Sequence, residues 1–169
     1  MEARLGRWGY RVALLVLRAW WALRRPRTDG VRCVLRRGDA VVLVRHCYGD
    51  RRWMLPGGRI GRREDPIATA RREMRQELGV AAPRWEVIGC LAARRRYRRR
   101  SPADGFRRHS TFYVRADVAT PELAPRRGEL ADARWFPTTA LPEERSESLD
   151  VAVRAGFLAD GAGGGRDAP

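Results

Sequence analysis

Short hydrophobic runs separated by polar turns begin after residue 28. Val31–Leu35 and Ala40–Arg45 are predicted strands, and the glycine-containing segment Arg36–Asp39 between them is a predicted turn. Trp53–Leu55 is a predicted short strand that enters Pro56-Gly57-Gly58. Glycines at that place allow the backbone to come close to a ligand.

The second half of the chain has further runs of this kind. Trp85–Ala92 and Ser110–Ala116 are predicted strands because of their Val, Ile, Thr, Phe and Tyr content. Arg134–Phe136 is a predicted last short strand, and Glu147–Leu158 is a predicted closing helix. The pattern indicates one domain of mixed α and β structure at residues 29–159, since 169 residues suffice for a substantial core.

A helix is predicted between Asp65 and Gly79. Asp65 has the position of an N-cap, and Pro66 that of the first helical residue. Gly79 supplies the stop, because glycine tolerates the left-handed conformation that follows a helix. At about 100° per residue, one side of this helix is apolar and should pack on a core; it comprises Ile67, Ala70, Met74 and Leu78.

Polar residues with possible metal chemistry lie on an adjoining side of this helix, namely Glu73, Gln76 and Glu77. Two carboxylates four residues apart on one face repel each other, and a cation between them would remove that repulsion. Mg²⁺ suits such a place, because it binds one or two protein carboxylates together with waters and phosphates. The alternative is an amphipathic helix with an ordinary charged outer face.

The chain ends carry two segments outside this domain. Residues 1–28 predict a basic helix that contains tryptophans and is too short and too charged to span a membrane. It could pack on its own domain or on a second copy, or lie as a peripheral contact on an anionic membrane. Residues 160–169, rich in glycine, are predicted to be a disordered tail.

The charge and the cysteine content bear on the binding partners and the redox compartment of the protein. The net charge of +15 suggests a polyanionic partner. However, all 35 basic residues are arginine, and this bias in composition makes a generally basic, solvated surface without a specific partner an equally good interpretation. Cys33, Cys47 and Cys90 are odd in number and lack CxxC spacing. We expect them to fill buried or half-buried strand positions in a reducing cytoplasm, without disulfides or zinc.

The segment 58–80 resembles the Nudix box, whose order is Gly, five residues, Glu, seven residues, Arg-Glu, a hydrophobic residue, any residue, Glu-Glu, any residue, Gly and a hydrophobic residue. The matching positions here are Gly58, Glu64, Arg72, Glu73, Glu77 and Gly79, with Gly57 just before them. Gln76 stands where the first glutamate of the pair is expected. The segments 40–45, 53–58 and 129–137 also look like those that flank the box in this family.

The resemblance implies an α/β/α sandwich with a mixed, curved sheet, and a metal-dependent pyrophosphohydrolase. Such enzymes cleave a nucleoside diphosphate linked to another group by attack of water on phosphorus, with Mg²⁺ or Mn²⁺. The resemblance makes Glu77 the main metal ligand and Glu73 a ligand or orienting base. The carbonyl oxygen of Gly58 would be a further ligand. Arg72 should pair with Glu64, and Glu129 is a candidate general base or further ligand.

Gln76 leaves a second function open. An amide oxygen can still coordinate a cation, but without charge, so the chain could instead be a catalytically weak Nudix-fold module that binds a nucleotide or, less favoured, a nucleic acid.

Residues 94–108 hold eight arginines against one aspartate and could clamp substrate phosphates. The candidate substrate-binding residues are Arg45, Tyr97, Arg98 and Arg99. The protein is expected to be a monomer or homodimer.

Overall fold

The computed structural model describes residues 27–49, 51–93 and 108–159. The chain divides into two compact units, and the larger, formed by Asp29–Leu91 and Thr111–Pro169, contains the hydrophobic core. The described elements are β1 (Arg27–Arg37), β2 (Ala40–His46), α1 (Pro66–Leu78), β3 (Glu86–Ala93), β4 (Arg108–Asp117), β5 (Leu130–Pro137) and α2 (Glu147–Arg154).

The strands form one sheet in the order β3-β4-β1-β2-β5. β2 pairs antiparallel with β1 through a tight turn, and with β5, which comes more than 80 residues later in the chain. Val42 lies opposite Trp135 and Val44 opposite Ala133, and the register shifts between Arg45 and His46. This pairing places the start of β5, and Glu129 before it, beside the end of β2.

The two faces of the sheet carry separate hydrophobic layers, because neighbouring residues of a strand point to opposite sides. One layer packs against α1 and includes Val31, Cys33, Val42 and Val44 with Ala70, Met74 and Leu78. The other packs against α2 and includes Val34, Val41, Leu43 and Trp53 with Leu149 and Ala152. A mixed five-stranded sheet between helices confirms the predicted α/β/α arrangement.

The limits of α1 agree with the prediction. The Asp65 Oδ1 accepts a hydrogen bond from the Ala68 amide at 2.7 Å, Pro66 is the first helical residue, and Gly79 has a φ of 68°. Ala70, Met74 and Leu78 are fully buried, and Ile67 packs beside them. Local sequence signals and burial therefore favour the same helix.

Several elements differ from their predicted limits, among them β1, which spans Arg27–Arg37 instead of Val31–Leu35. β5 begins at Leu130 instead of Arg134, since the whole of β2 pairs with it. α2 ends at Arg154 instead of Leu158 because Gly156 takes a φ of 74°, after which the Phe157 amide donates back to the Ala152 carbonyl at 3.1 Å. The predicted strand at Trp53–Leu55 is reduced to isolated bridges, Val44–Met54 and Trp53–Arg145.

The three cysteines are free thiols in the structure. Cys33 is buried in β1, whereas Cys47 lies in a loop and Cys90 is exposed on β3, so the expectation of buried or half-buried strand positions holds for Cys33 alone. Among the helices of the described residues, none is long and apolar enough to cross a membrane. The predicted N-terminal helix, the arginine-rich segment 94–107 and the tail lie outside the described residues, and the domain limits at 28 and 159 remain predictions.

Candidate active site

The segment Pro56-Gly57-Gly58, called the glycine loop below, lies against β1. The Val31 amide donates to the Gly58 carbonyl at 2.9 Å, and the Cys33 amide donates to the Pro56 carbonyl at 2.8 Å. Gly57 has a φ of 149°, and a Cβ there would collide with the Val31 carbonyl oxygen. A Cβ on Gly58 would collide with the carboxylate of Glu73. Glycines at both positions therefore let a helix carboxylate lie directly on the loop backbone.

Glu77 is a buried carboxylate at the centre of the site. Its residue is 4% exposed, and its Oε2 has no hydrogen-bond partner among the described residues. Burial raises the pKa of Glu77 to about 7, with the charges of Glu73 and Glu129 adding to the effect. A hydrogen bond from the Gly57 amide and the charge of Arg32 oppose this shift. Among the residues that the structure describes, the ionised form of Glu77 therefore has too little positive charge around it.

Glu129 reaches this site because its loop is attached to the end of α1. The Arg126 amide donates to the Glu77 carbonyl and the Ala124 amide to the Leu78 carbonyl, both at 2.8 Å. The Cys47 amide donates to the Glu129 carbonyl at 3.1 Å, which ties the loop to the end of β2. Of the predicted catalytic residues, Glu73 and Glu129 both lie within electrostatic range of Glu77.

These residues fit a divalent cation. Within the described residues, no three His, Cys, Asp or Glu side chains converge into a preformed metal cluster. Mg²⁺ does not require one, because it keeps several waters and is held by one or two carboxylates plus substrate phosphates. The buried Oε2 of Glu77, which has no hydrogen-bond partner among the described residues, forms a donor set of this kind together with Glu73, whose charge acts on it. Glu73 and Glu77 would hold the cation.

Arg72 joins the loop before α1 to the helix. Its Nε and one terminal nitrogen donate to the two carboxylate oxygens of Glu64, at 2.7 and 2.8 Å. The other terminal nitrogen donates to Glu73 Oε1 at 2.8 Å. Hydrogen bonds from Arg72 lower the pKa of Glu64 to about 2, so this carboxylate stays ionised. The predicted pair of Arg72 and Glu64 is confirmed.

Gln76 is exposed and lies on the solvent side of Arg72. Its Oε1 accepts a hydrogen bond at 3.3 Å from the same Arg72 nitrogen that donates to Glu73. Its amide oxygen is therefore occupied by Arg72 in this arrangement. The role of Gln76 as a metal ligand remains a prediction.

Arg45 occupies the other side of the sheet. Its guanidinium carbon lies 4.7 Å from the centre of the Trp53 ring, and it reaches Glu144 Oε2 at 3.3 Å. Trp53 belongs to the layer that faces α2, so the structure does not bring Arg45 together with Glu73 and Glu77. Its contact with substrate remains a prediction that this arrangement does not support. Tyr97, Arg98 and Arg99 lie outside the described residues.

Arg32, which no sequence motif indicated, is half-buried beside the glycine loop. Its guanidinium donates to the Leu55 carbonyl at 3.1 Å and lies 3.8 Å from the sulfur of Met54. Its charge also acts on Glu77. The signal available in the sequence was one charged residue inside the hydrophobic run of β1.

Comparisons with known proteins identify a family match and a curated relative. Residues 26–156 match the family model of the NUDIX domain. The chain is 31% identical over 126 residues to an ADP-ribose pyrophosphatase of Mycobacterium tuberculosis, a match that covers 70% of this chain and 56% of that protein. The chain therefore spans little more than half the length of this relative.

Solved structures share the fold. A MutT NUDIX hydrolase from Burkholderia pseudomallei superimposes with a TM-score of 0.64 at 19% identity, covering 76% of this chain and 97% of that one. A UDP-X diphosphatase superimposes with a TM-score of 0.55 at 20% identity, covering 78% and 64%. Because the family match extends over most of the chain and includes the helix with its carboxylates, the chain belongs to the Nudix hydrolase family.

Proposed function

We propose that the protein is a metal-dependent pyrophosphohydrolase that cleaves a nucleoside diphosphate linked to another group. The observation that carries the proposal is Glu77, a buried carboxylate whose Oε2 has no hydrogen-bond partner in the described part of the chain and which feels the charges of Glu73 and Glu129. A protein gains no stability from such an arrangement. It becomes favourable when a divalent cation and the substrate phosphates occupy the site.

The residues divide the chemistry between them. A bound divalent cation would supply positive charge against the phosphate oxygens as they gain negative charge. Glu77 and Glu73 would hold it, and Arg72 orients Glu73 through a hydrogen bond to its Oε1 at 2.8 Å. Glu129 accepts a proton from the attacking water, since its loop holds it within electrostatic range of Glu77. The half-buried Arg32 adds positive charge beside the glycine loop.

The first compound to test is ADP-ribose, because the relative from Mycobacterium tuberculosis is an ADP-ribose pyrophosphatase. ADP-ribose is a nucleoside diphosphate linked to a second sugar, which is the substrate class that the site chemistry favours. Specificity depends on loops outside the helix, and residues of the arginine-rich segment 94–108 are among the candidates.

The test is hydrolysis of a panel of nucleotide pyrophosphates with and without Mg²⁺ or Mn²⁺. Glu77→Gln should lower the rate at least ~100-fold, on the scale of a lost electrostatic contact in the transition state. Glu143→Gln, at an exposed glutamate, is the matched control and should retain the parent rate. Full activity in a chelator, or parent-like turnover by Glu77→Gln, would overturn the proposal.

A second candidate function is a catalytically weak module that binds a nucleotide. The observation that favours it is Gln76, which lacks the charge expected at its position and whose amide oxygen accepts a hydrogen bond from Arg72. The same panel separates the two functions. Tight, metal-dependent nucleotide binding without turnover would favour the binding module.

A further inference from the structure

Thr69 is a fully buried polar residue on α1, with an exposed fraction of 0%. It is one of the seven unspecified residues between Glu64 and Arg72. A threonine inside a helix commonly returns its hydroxyl to the carbonyl four residues earlier. Here the hydroxyl donates instead to Glu64 Oε2 at 3.0 Å. The carboxylate of Glu64 therefore supplies the hydrogen-bond acceptor that this buried hydroxyl requires.

The Glu64 carboxylate has a full set of donors. Oε2 accepts from the Gly61 amide at 3.2 Å, from Thr69 and from Arg72, and Oε1 accepts from Arg72 at 2.7 Å. The loop is closed around it, because the Glu64 amide also donates to the Gly61 carbonyl at 3.1 Å. Donors on three sides leave this carboxylate a single orientation.

The contacts continue from Glu64 to the proposed catalytic carboxylates. Arg72 is held by both oxygens of Glu64, and it donates to Glu73 Oε1 at 2.8 Å. The carboxylate of Glu73 rests on Gly58. We propose that Thr69 is a positioning residue whose hydroxyl fixes Glu64, so that Arg72 keeps Glu73 in the orientation that holds the cation. This inference rests on the proposed function.

The experiment compares Thr69→Val, which removes the hydroxyl and keeps the branched shape, with Thr69→Ser, which keeps the hydroxyl. Thr69→Val should lower kcat and weaken Mn²⁺ binding by about tenfold each, the lower end for residues behind a metal ligand. KM for the substrate should not change, because Thr69 does not touch it. Thr69→Ser should retain the parent values. Mn²⁺ affinity is measured without substrate by electron paramagnetic resonance.

Each result decides the inference. A loss in Thr69→Ser as large as that in Thr69→Val would overturn it, since keeping the hydroxyl would then not be sufficient to keep the carboxylates in place. Parent-like Mn²⁺ affinity in folded Thr69→Val would also overturn it. If Thr69→Val does not fold, Thr69→Ala gives the same test with a good helix former. Failure of the proposed function is distinguishable, because an inactive parent protein still yields the Mn²⁺ affinities of all variants.

Discussion

At the scale of single residues, Glu77 places a carboxylate where the surrounding protein disfavours its charge. Its pKa is raised from 4.5 to about 7, mainly by burial. Between pH 4.5 and 7 the unfolded chain therefore releases a proton that the folded protein retains. The free energy of unfolding falls as the pH rises through this window, by on the order of 3 kcal/mol in total, and the loss is complete above pH 7.

The first prediction concerns this destabilisation. In metal-free protein at pH 8, Glu77→Gln should melt roughly 5 to 10 °C above the parent, because the uncompensated charge is gone. The two proteins should converge near pH 4.5, and added Mg²⁺ should raise the Tm of the parent only. Thermal unfolding across pH measures this, with Glu143→Gln as the control. A variant that melts below the parent at pH 8 would contradict the assigned pKa.

The second prediction concerns Gln76. A glutamate there would add negative charge beside Arg72 and near Glu73. Gln76→Glu should therefore tighten metal binding and raise the rate at low Mg²⁺. Gln76→Met, which removes the amide oxygen without adding charge, is the control and should give no gain. The measurement is rate against Mg²⁺ concentration, and curves identical to the parent would mean that position 76 does not influence the cation.

At the scale of elements, α1 depends on its cap, and the third prediction tests this. Asp65→Ala removes the acceptor of the Ala68 amide and should cost about 1 kcal/mol of unfolding free energy. The Tm should fall by about 2–4 °C, while kcat of the folded protein is retained, because Asp65 does not touch the carboxylate site. Asp65→Ser restores a capping oxygen and should recover most of the Tm. A large loss of kcat in Asp65→Ala would mean that the cap also orients the site.

The end of α1 has a different kind of support. The carbonyls of Glu77 and Leu78 accept from the backbone of residues 124–126, so the helix is ended by a distant loop as well as by Gly79. The same contacts bring Glu129 toward Glu77. One loop therefore satisfies helix carbonyls and also brings the charge of Glu129 within electrostatic range of Glu77.

At the scale of the whole molecule, the net charge of +15 favours anionic ligands. The fourth prediction concerns Arg98, Arg99 and Arg100, which lie outside the described residues. Replacing all three with serine should raise KM for the true substrate if they clamp its phosphates. The control replaces the exposed Arg84, Arg127 and Arg154 with serine, which lowers the net charge by the same amount as the tested variant. If the first variant loses only salt-sensitive binding to DNA or RNA, the phosphate clamp is wrong.

The sequence by itself determined α1 and the β1–β2 hairpin, and its resemblance to the Nudix box implied the contact of Arg72 with Glu64. These depend on residues close together in the chain, where caps, turns and helical spacing fix the geometry. Only the tertiary structure decided the full length of β5, the approach of Glu129 and the place of Arg45 on the opposite face. Those features follow from the pairing of β2 with a strand more than 80 residues away, whose register no local pattern specifies. The burial of Glu77, and with it the raised pKa, likewise arises only when the glycine loop and the loop before β5 close over the helix.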